Sequence, residues 1–256
     1  MKTIIITNKN VDLGSSVDYE ALQISNVEKV NLTGGTGVGT TVAMYVDAVN
    51  MTNIETLSFA GNAGNVKVKN LAAGTEIGLG ISGDDITATL EINLADATGT
   101  SDSITVVEPS ALAANSAITW KSAGIESMTI EATSDVSGDY DTDWTWNDGA
   151  PSTITVLKGE EGDEMGLGSL NKATTKVDAS AYLGELTMSG ATGVAMTVDA
   201  KLAGVSSITT STGNDTLNLG KYGTAAHTIS TGTGTDVVNV TLNSAASDMR
   251  NVSGAE

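Results

Sequence analysis

The chain has 256 residues, of which 40% are apolar but only 4% aromatic, with 29 glycines, two prolines and no cysteine. That composition suits a narrow core of Val, Ile, Leu, Ala and Met cut by many tight corners; it excludes disulfides and thiolate metal sites and disfavours a helical bundle. A net charge of −19 argues against nucleic acid and anionic membranes as partners and favours divalent cations.

The first predicted strand is Thr3 to Thr7, ending in a polar turn at Asn8-Lys9-Asn10. Its apolar run is too short for the core of a signal peptide, and no stretch approaches the ~20 apolar residues of a membrane helix. A cytoplasmic location, export without a cleaved leader, and an excerpt of a longer protein all stay open at this point. A repeat follows: Asn26-Val27-Glu28-Lys29-Val30-Asn31-Leu32 recurs as Asn53-Ile54-Glu55-Thr56-Leu57-Ser58-Phe59. Looser copies are Gly124-Ile125-Glu126, Leu183 to Met188, and Gly204-Val205 running into Ile208. Each sets a small or polar corner, then an aliphatic anchor, then an alternating strand. Between the first copies lies Gly34-Gly35-Thr36-Gly37-Val38-Gly39, which lacks the Gly-Lys-Ser/Thr ending of a phosphate loop.

Pro109 to Asn115 reads as one helical turn. Ser134 to Gly168 is the least regular region, rich in aspartate and holding Trp144 and Trp146. It reads as an acidic loop or inserted hairpin, dividing the chain into 1–133, 134–168 and 169–256. Asp139-Tyr140-Asp141-Thr142-Asp143 starts like an EF-hand loop, but Trp144 and Ala150 stand where its glycine and bidentate glutamate belong. Trp120, Trp144 and Trp146, the last two sharing one face of a strand, serve either to pack the loop onto the solenoid or as a sugar platform, packing being the favoured use. The internal methionines fit core filling, and the single histidine, His227, rules out a histidine-based metal site or triad.

Two near-copies organise the C-terminal part. One is Ile208-Thr209-Thr210-Ser211-Thr212-Gly213-Asn214-Asp215-Thr216-Leu217-Asn218-Leu219. The other is Ile229-Ser230-Thr231-Gly232-Thr233-Gly234-Thr235-Asp236-Val237-Val238-Asn239-Val240. In both, an apolar residue stands seven positions before an aspartate and apolar residues follow it at plus two and plus four. Thr231 to Asn239 fits the nonapeptide G-G-x-G-x-D-x-U-x at every position but the first. Val156 to Leu167 is a looser third copy around Asp163, with Glu161 in place of a glycine. The aspartates have two roles open to them: capping the turn, or holding a cation together with carbonyl oxygens.

The steps from Val27 to Ile54 and from Asp215 to Asp236 are the size of one coil of a β-solenoid, whose inward residues are buried only when coils stack. The expected fold is therefore all-β, a parallel β-helix of about ten coils and roughly 50 Å, with an antiparallel β-sandwich as the alternative. Val30, Leu32, Leu57, Phe59, Leu217, Leu219, Val238 and Val240 are its expected core.

These strings resemble the β-helical, calcium-binding surface-layer proteins and related repeats-in-toxin adhesins of Gram-negative bacteria. The residues carrying the likeness are Asn26 to Leu32, Asn53 to Phe59, Asn70 to Glu76, Thr212 to Leu219 and Gly232 to Asp236. The resemblance implies Ca²⁺ as the bound ion, held between coils by Asp215 and Asp236 with Gly213, Gly232, Gly234 and Thr235 around them, and Asp163 as a weaker member. It implies an extracellular, cell-surface, non-catalytic protein that assembles into a homo-oligomer or lattice, with cell-surface polysaccharide as a further partner. The chain departs from that pattern in spacing, because uninterrupted nonapeptides place aspartates at multiples of nine and the step from Asp215 to Asp236 is not one. The competing reading is a β-helical lyase or glycosidase acting on acidic polysaccharide, which would need basic residues that are spread thinly here.

Overall fold

A computed structural model describes residues 1–7, 17–19, 22–33, 42–60, 63–80, 87–108, 116–122, 124–132, 141–160, 163–202, 206–210, 212–221, 227–241 and 252–255. Alternation makes the strands. In Lys29–Thr33, Val30 and Leu32 are fully buried while their neighbours are half-exposed, and the same period-two pattern recurs in Ser127–Ala132 and Thr153–Lys158.

Among the described residues the strands form two eleven-stranded sheets, each coil giving one strand to each. The first sheet runs from Thr3–Thr7 to Val237–Thr241 and the second from Val17–Tyr19 to Val252–Ala255. Every pairing within them is parallel and joins neighbouring coils, as in Val30 with Leu57, Leu57 with Ile77, and Leu217 with Val238. The molecule is a parallel β-solenoid. The sandwich alternative fails because consecutive strands of a coil lie in different sheets and never pair as hairpins. The first two coils carry a short third strand, Ile24–Ser25 beneath Met51–Thr52.

Coil length is set at the corners. Among paired strands of the first sheet, the step from Thr197 to Thr216 is short and the step from Glu76 to Thr105 is long, yet both pairs are in register. Inward side chains of the two sheets meet in one continuous core, which includes Met44, Met51, Met128, Met165, Met188 and Met196. Six of the eight expected core residues are buried; Val238 and Val240 are only half-buried, since their strand is the last of its sheet.

The reading of 134–168 as an inserted loop is corrected for its described part. Asp141–Asp148, Thr153–Lys158 and Glu164–Ser169 are ordinary rungs of the two sheets. Thr142, Trp144 and Trp146 point inward while Asp143, Thr145 and Asn147 face water, so the polar residues decorate a strand rather than break it. The turn at 8–10, the glycine run at 34–39 and the helical turn at 109–115 lie outside the described residues.

Candidate metal corner

Each strand of the first sheet is preceded by one corner residue, and these residues stack along the rod in two runs, Lys2 to Thr75 and Asp102 to Asp236, offset from one another by two residues where Glu76–Gly80 pairs with Ser103–Val107. Acids hold the place at Glu28, Glu55, Asp102, Glu126, Asp215 and Asp236. The copies at Asn26, Asn53 and Gly124 and those at Asp215 and Asp236 therefore share one corner, whereas Leu183 to Met188 and Gly204-Val205 to Ile208 enter strands of the second sheet. A short chain turn precedes it: Asn26, Asn53 and Gly124, two residues before their glutamates, all have left-handed backbone angles, with φ of 57°, 62° and 74°. Asparagine and glycine tolerate that region best, which is why the corner strings read Asn-x-Glu or Gly-x-Glu.

Four of these acids share one chemistry. Glu28 accepts a hydrogen bond from the backbone N–H of Lys2, one coil earlier. Glu126 does the same for Asp102 at 2.9 Å, Asp215 for Met196 at 2.8 Å, and Asp236 for Asp215 at 3.0 Å. The carbonyl of the capped residue meanwhile accepts from the first strand residue of the coil above, as Met196 O does from Thr216 N at 2.8 Å and Asp215 O from Val237 N at 2.8 Å. Each corner peptide is thus clasped on both sides. The Lys2 N–H holds the Glu28 carboxyl below its ordinary value, because the bond favours the ionised form.

The last two coils approach most tightly. A Cβ on Gly234 would lie 1.7 Å from the carbonyl oxygen of Gly213, and one on Gly213 would lie 2.4 Å from that of Val194. Gly232 and Gly234 both have positive φ, at 75° and 148°. Thr235 N–H donates to the Asn214 side chain at 2.9 Å, and Gly213 N–H to Thr233 O at 3.0 Å.

These details define how a calcium ion fits. Asp215 uses Oδ1 as a cap, while its Oδ2 is buried with no hydrogen-bond partner. An orphaned, buried carboxylate oxygen is an atom that a hard cation could take as a ligand. No group of three or more acidic or histidine side chains is placed to hold a metal among the described residues. A cation at this corner would therefore combine Asp215, and Asp236 beside it, with backbone carbonyls and water. The residues fit such a site, with fewer carboxylates than a dedicated cage.

Asp163 does not belong to it. It precedes Glu164–Ser169, a strand of the second sheet, and so stands at the opposite corner. Its carboxylate accepts from Glu160 N–H at 2.6 Å, and its carbonyl from Glu185 N–H at 2.6 Å. The seven-residue offset is right, but the string enters the other sheet.

Other singled-out residues are structural. Trp144 and Trp146 stack with centroids 5.6 Å apart, both buried, and Trp146 Nε1 donates to Leu167 O at 2.7 Å. With their faces in the core they form no sugar platform. His227 is buried at the start of a second-sheet strand. Nothing in the sequence marks Glu108, a fully buried acid accepting from Trp144 Nε1 at 3.2 Å, since it follows Ser103–Val107 like any outgoing corner residue. Tyr182 is buried in the same core, and desolvation, with the charges of Asp163 and Glu108, pushes its hydroxyl well above the usual tyrosine range.

No protein-family model matches the chain, and no curated protein and no solved structure matches it.

Proposed function

We propose that the chain is a structural protein of the cell surface, a rod that assembles with copies of itself and is stiffened by calcium at the Asp215–Asp236 corner. The observation carrying this reading is the column of stacked corner acids, which commits carboxylates to tying coil to coil. At Asp215 it leaves one buried carboxylate oxygen without a hydrogen-bond partner. Calcium supplies charge neutralisation there; the chain's own part is to present Asp215 and Asp236 on adjacent coils, held by their N–H bonds. An extracellular setting agrees with the charge of −19, and extracellular calcium modules typically bind at ~10⁻⁴–10⁻³ M.

Two measurements test the reading. Negative-stain imaging should show filaments or sheets with calcium, and monodisperse particles in both calcium and chelator would sink the self-assembling role. Thermal melts of Asp236→Ala should show a loss in chelator of about 1 kcal/mol from the missing cap. In calcium the loss should be larger, by up to ~2.7 kcal/mol when the ion is about a hundredfold above Kd. Equal losses in both conditions would leave Asp236 a turn residue and remove the metal from the proposal.

A further inference from the structure

We infer that the place where the rod passes from three sides to two binds a small uncharged apolar molecule, a single aromatic ring or a short alkyl chain. The site lies between the second and third coils, away from Asp215 and Asp236, and goes beyond the structural role proposed above.

The space follows from coil length. The step from Lys29 to Thr56 is longer than the step from Thr56 to Glu76, yet both pairs are in register. The longer coil uses its extra residues for the third strand, Met51–Thr52, which among the described residues pairs only with Ile24–Ser25. The shorter coil cuts across by Leu71-Ala72-Ala73-Gly74-Thr75, and the side chains at the crossing are small. Gly74 turns with φ of 79°, and a Cβ built on it would meet nothing within 4 Å. Elsewhere an inward residue is covered by its counterpart on the next coil, as Val30 is by Leu57 and Leu57 by Ile77. Met51 and Ile54 have a gap above them instead.

The gap is a cavity of about 220 Å³. Ala48, Met51, Leu57 and Leu71, all buried, wall it, while half-buried Ile54 and exposed Ala72 stand at its lip. No charged side chain lines it. Of its two polar residues, Thr75 already donates its hydroxyl to Ala72 O at 2.8 Å, and Asn53 is exposed at the mouth. Water in such a space finds too few hydrogen-bond partners, and walls that face a void lose dispersion contacts. Size narrows the guest: an apolar cavity of about 150 Å³ already accepts benzene, whereas drug-sized ligands occupy sites of ~300–1,000 Å³. One ring or a few carbons fit, with the Met51 thioether adapting to their outline. Charge narrows it further. Asp47, Glu55 and Glu76 follow or precede the lining residues Ala48, Ile54 and Thr75 directly in the chain, so an anionic guest would meet acids around an opening that cannot solvate it.

Methionine makes the site directly readable, because Met51 lines the cavity while Met128, Met165 and Met188 lie elsewhere in the core. In the full chain with methyl-labelled methionine, titration with benzyl alcohol should shift the Met51 resonance saturably and leave those three in place; loss of the signal in Met51→Leu assigns it. Benzoate, the same ring carrying a carboxylate, should shift nothing at the same concentrations. Ala72→Leu puts a larger side chain at the lip and should abolish the saturable shift with circular dichroism unchanged. A wild-type chain whose Met51 resonance does not saturate overturns the inference, and this result stands whether or not the variant folds. Equal movement of all the methionine resonances would overturn it as well, since the probe would then be dissolving in the core at large. So would benzoate binding as tightly as benzyl alcohol, or a folded Ala72→Leu that binds like the wild type.

Discussion

A corner acid in this rod acts on the coil below it, not on its own turn. Asp215 is the clearest case, since it caps Met196 N–H and is itself capped by Asp236. Asp215→Ala leaves the Met196 N–H buried without an acceptor, a defect of about 1–3 kcal/mol. Chemical denaturation in chelator should read a loss of that size, and a neutral result would mean water replaces the carboxylate. Acidification acts on several carboxylates together. Glu28, Asp47 and Asp96 are held below the ordinary carboxylate range, by the Lys2 N–H, the Asn70 amide and the Thr98 hydroxyl respectively. The unfolded chain therefore binds protons first as the pH drops. The contribution of these groups is complete above the ordinary carboxylate range and is lost as pH falls through the lower folded values. Melting midpoints recorded from about pH 6 to about pH 3 should decline below ~pH 4, and Glu28→Gln should shallow that decline. A midpoint that rises throughout would show that relief of the −19 charge outweighs the caps.

At the scale of the coil, tight stacking restricts the corners more than the strands. Gly234→Ala sets a methyl against Gly213 O at a φ of 148°, so either the corner opens or the coil tilts. A loss of roughly 1–3 kcal/mol is expected. Gly220→Ala, whose new carbon meets nothing closer than 3.8 Å, should be nearly silent in the same denaturation series. The same contrast separates what is legible in the sequence from what is not. Strands such as Lys29–Thr33 and Thr56–Ala60 are legible because Val30, Leu32, Leu57 and Phe59 alternate with polar residues that prefer water. Asp141–Asp148 reads as a loop because it is rich in aspartate and asparagine, residues of low strand propensity, although Thr142, Trp144 and Trp146 keep the same inward period. Asp163 falls at the wrong corner for a different reason. A two-sheet coil has two similar corners, and an offset of seven positions from strand to aspartate fits either one. The shared column of Glu28, Glu126 and Asp215 is visible as recurring strings, but its hydrogen bonds each join one coil to the next, which no local pattern reveals.

Across the whole molecule the rod is close to one-dimensional, each coil pairing only with the coils above and below. Opening then costs least at the tips, where one neighbour is missing. Amide hydrogen exchange should be fastest in Thr3–Thr7 and Val252–Ala255 and slowest around Met128, Ile130, Ile154 and Val156 in the middle. Uniform protection would indicate a single cooperative unit, and calcium at Asp215 and Asp236 should slow exchange in the last coils first.

Rise along the axis is fixed by hydrogen bonds between strands, while coils as unequal as those from Thr197 to Thr216 and from Glu76 to Thr105 leave it undisturbed. Residues added at a corner lengthen the chain but not the rod. A peptide grafted at the exposed Thr100 would hang from the side at a set height, and a second graft on another coil would stand off by a whole multiple of ~4.8 Å. The solenoid is in that respect a ruler whose marks are corners, able to hold foreign groups at chosen intervals along a face only one strand wide.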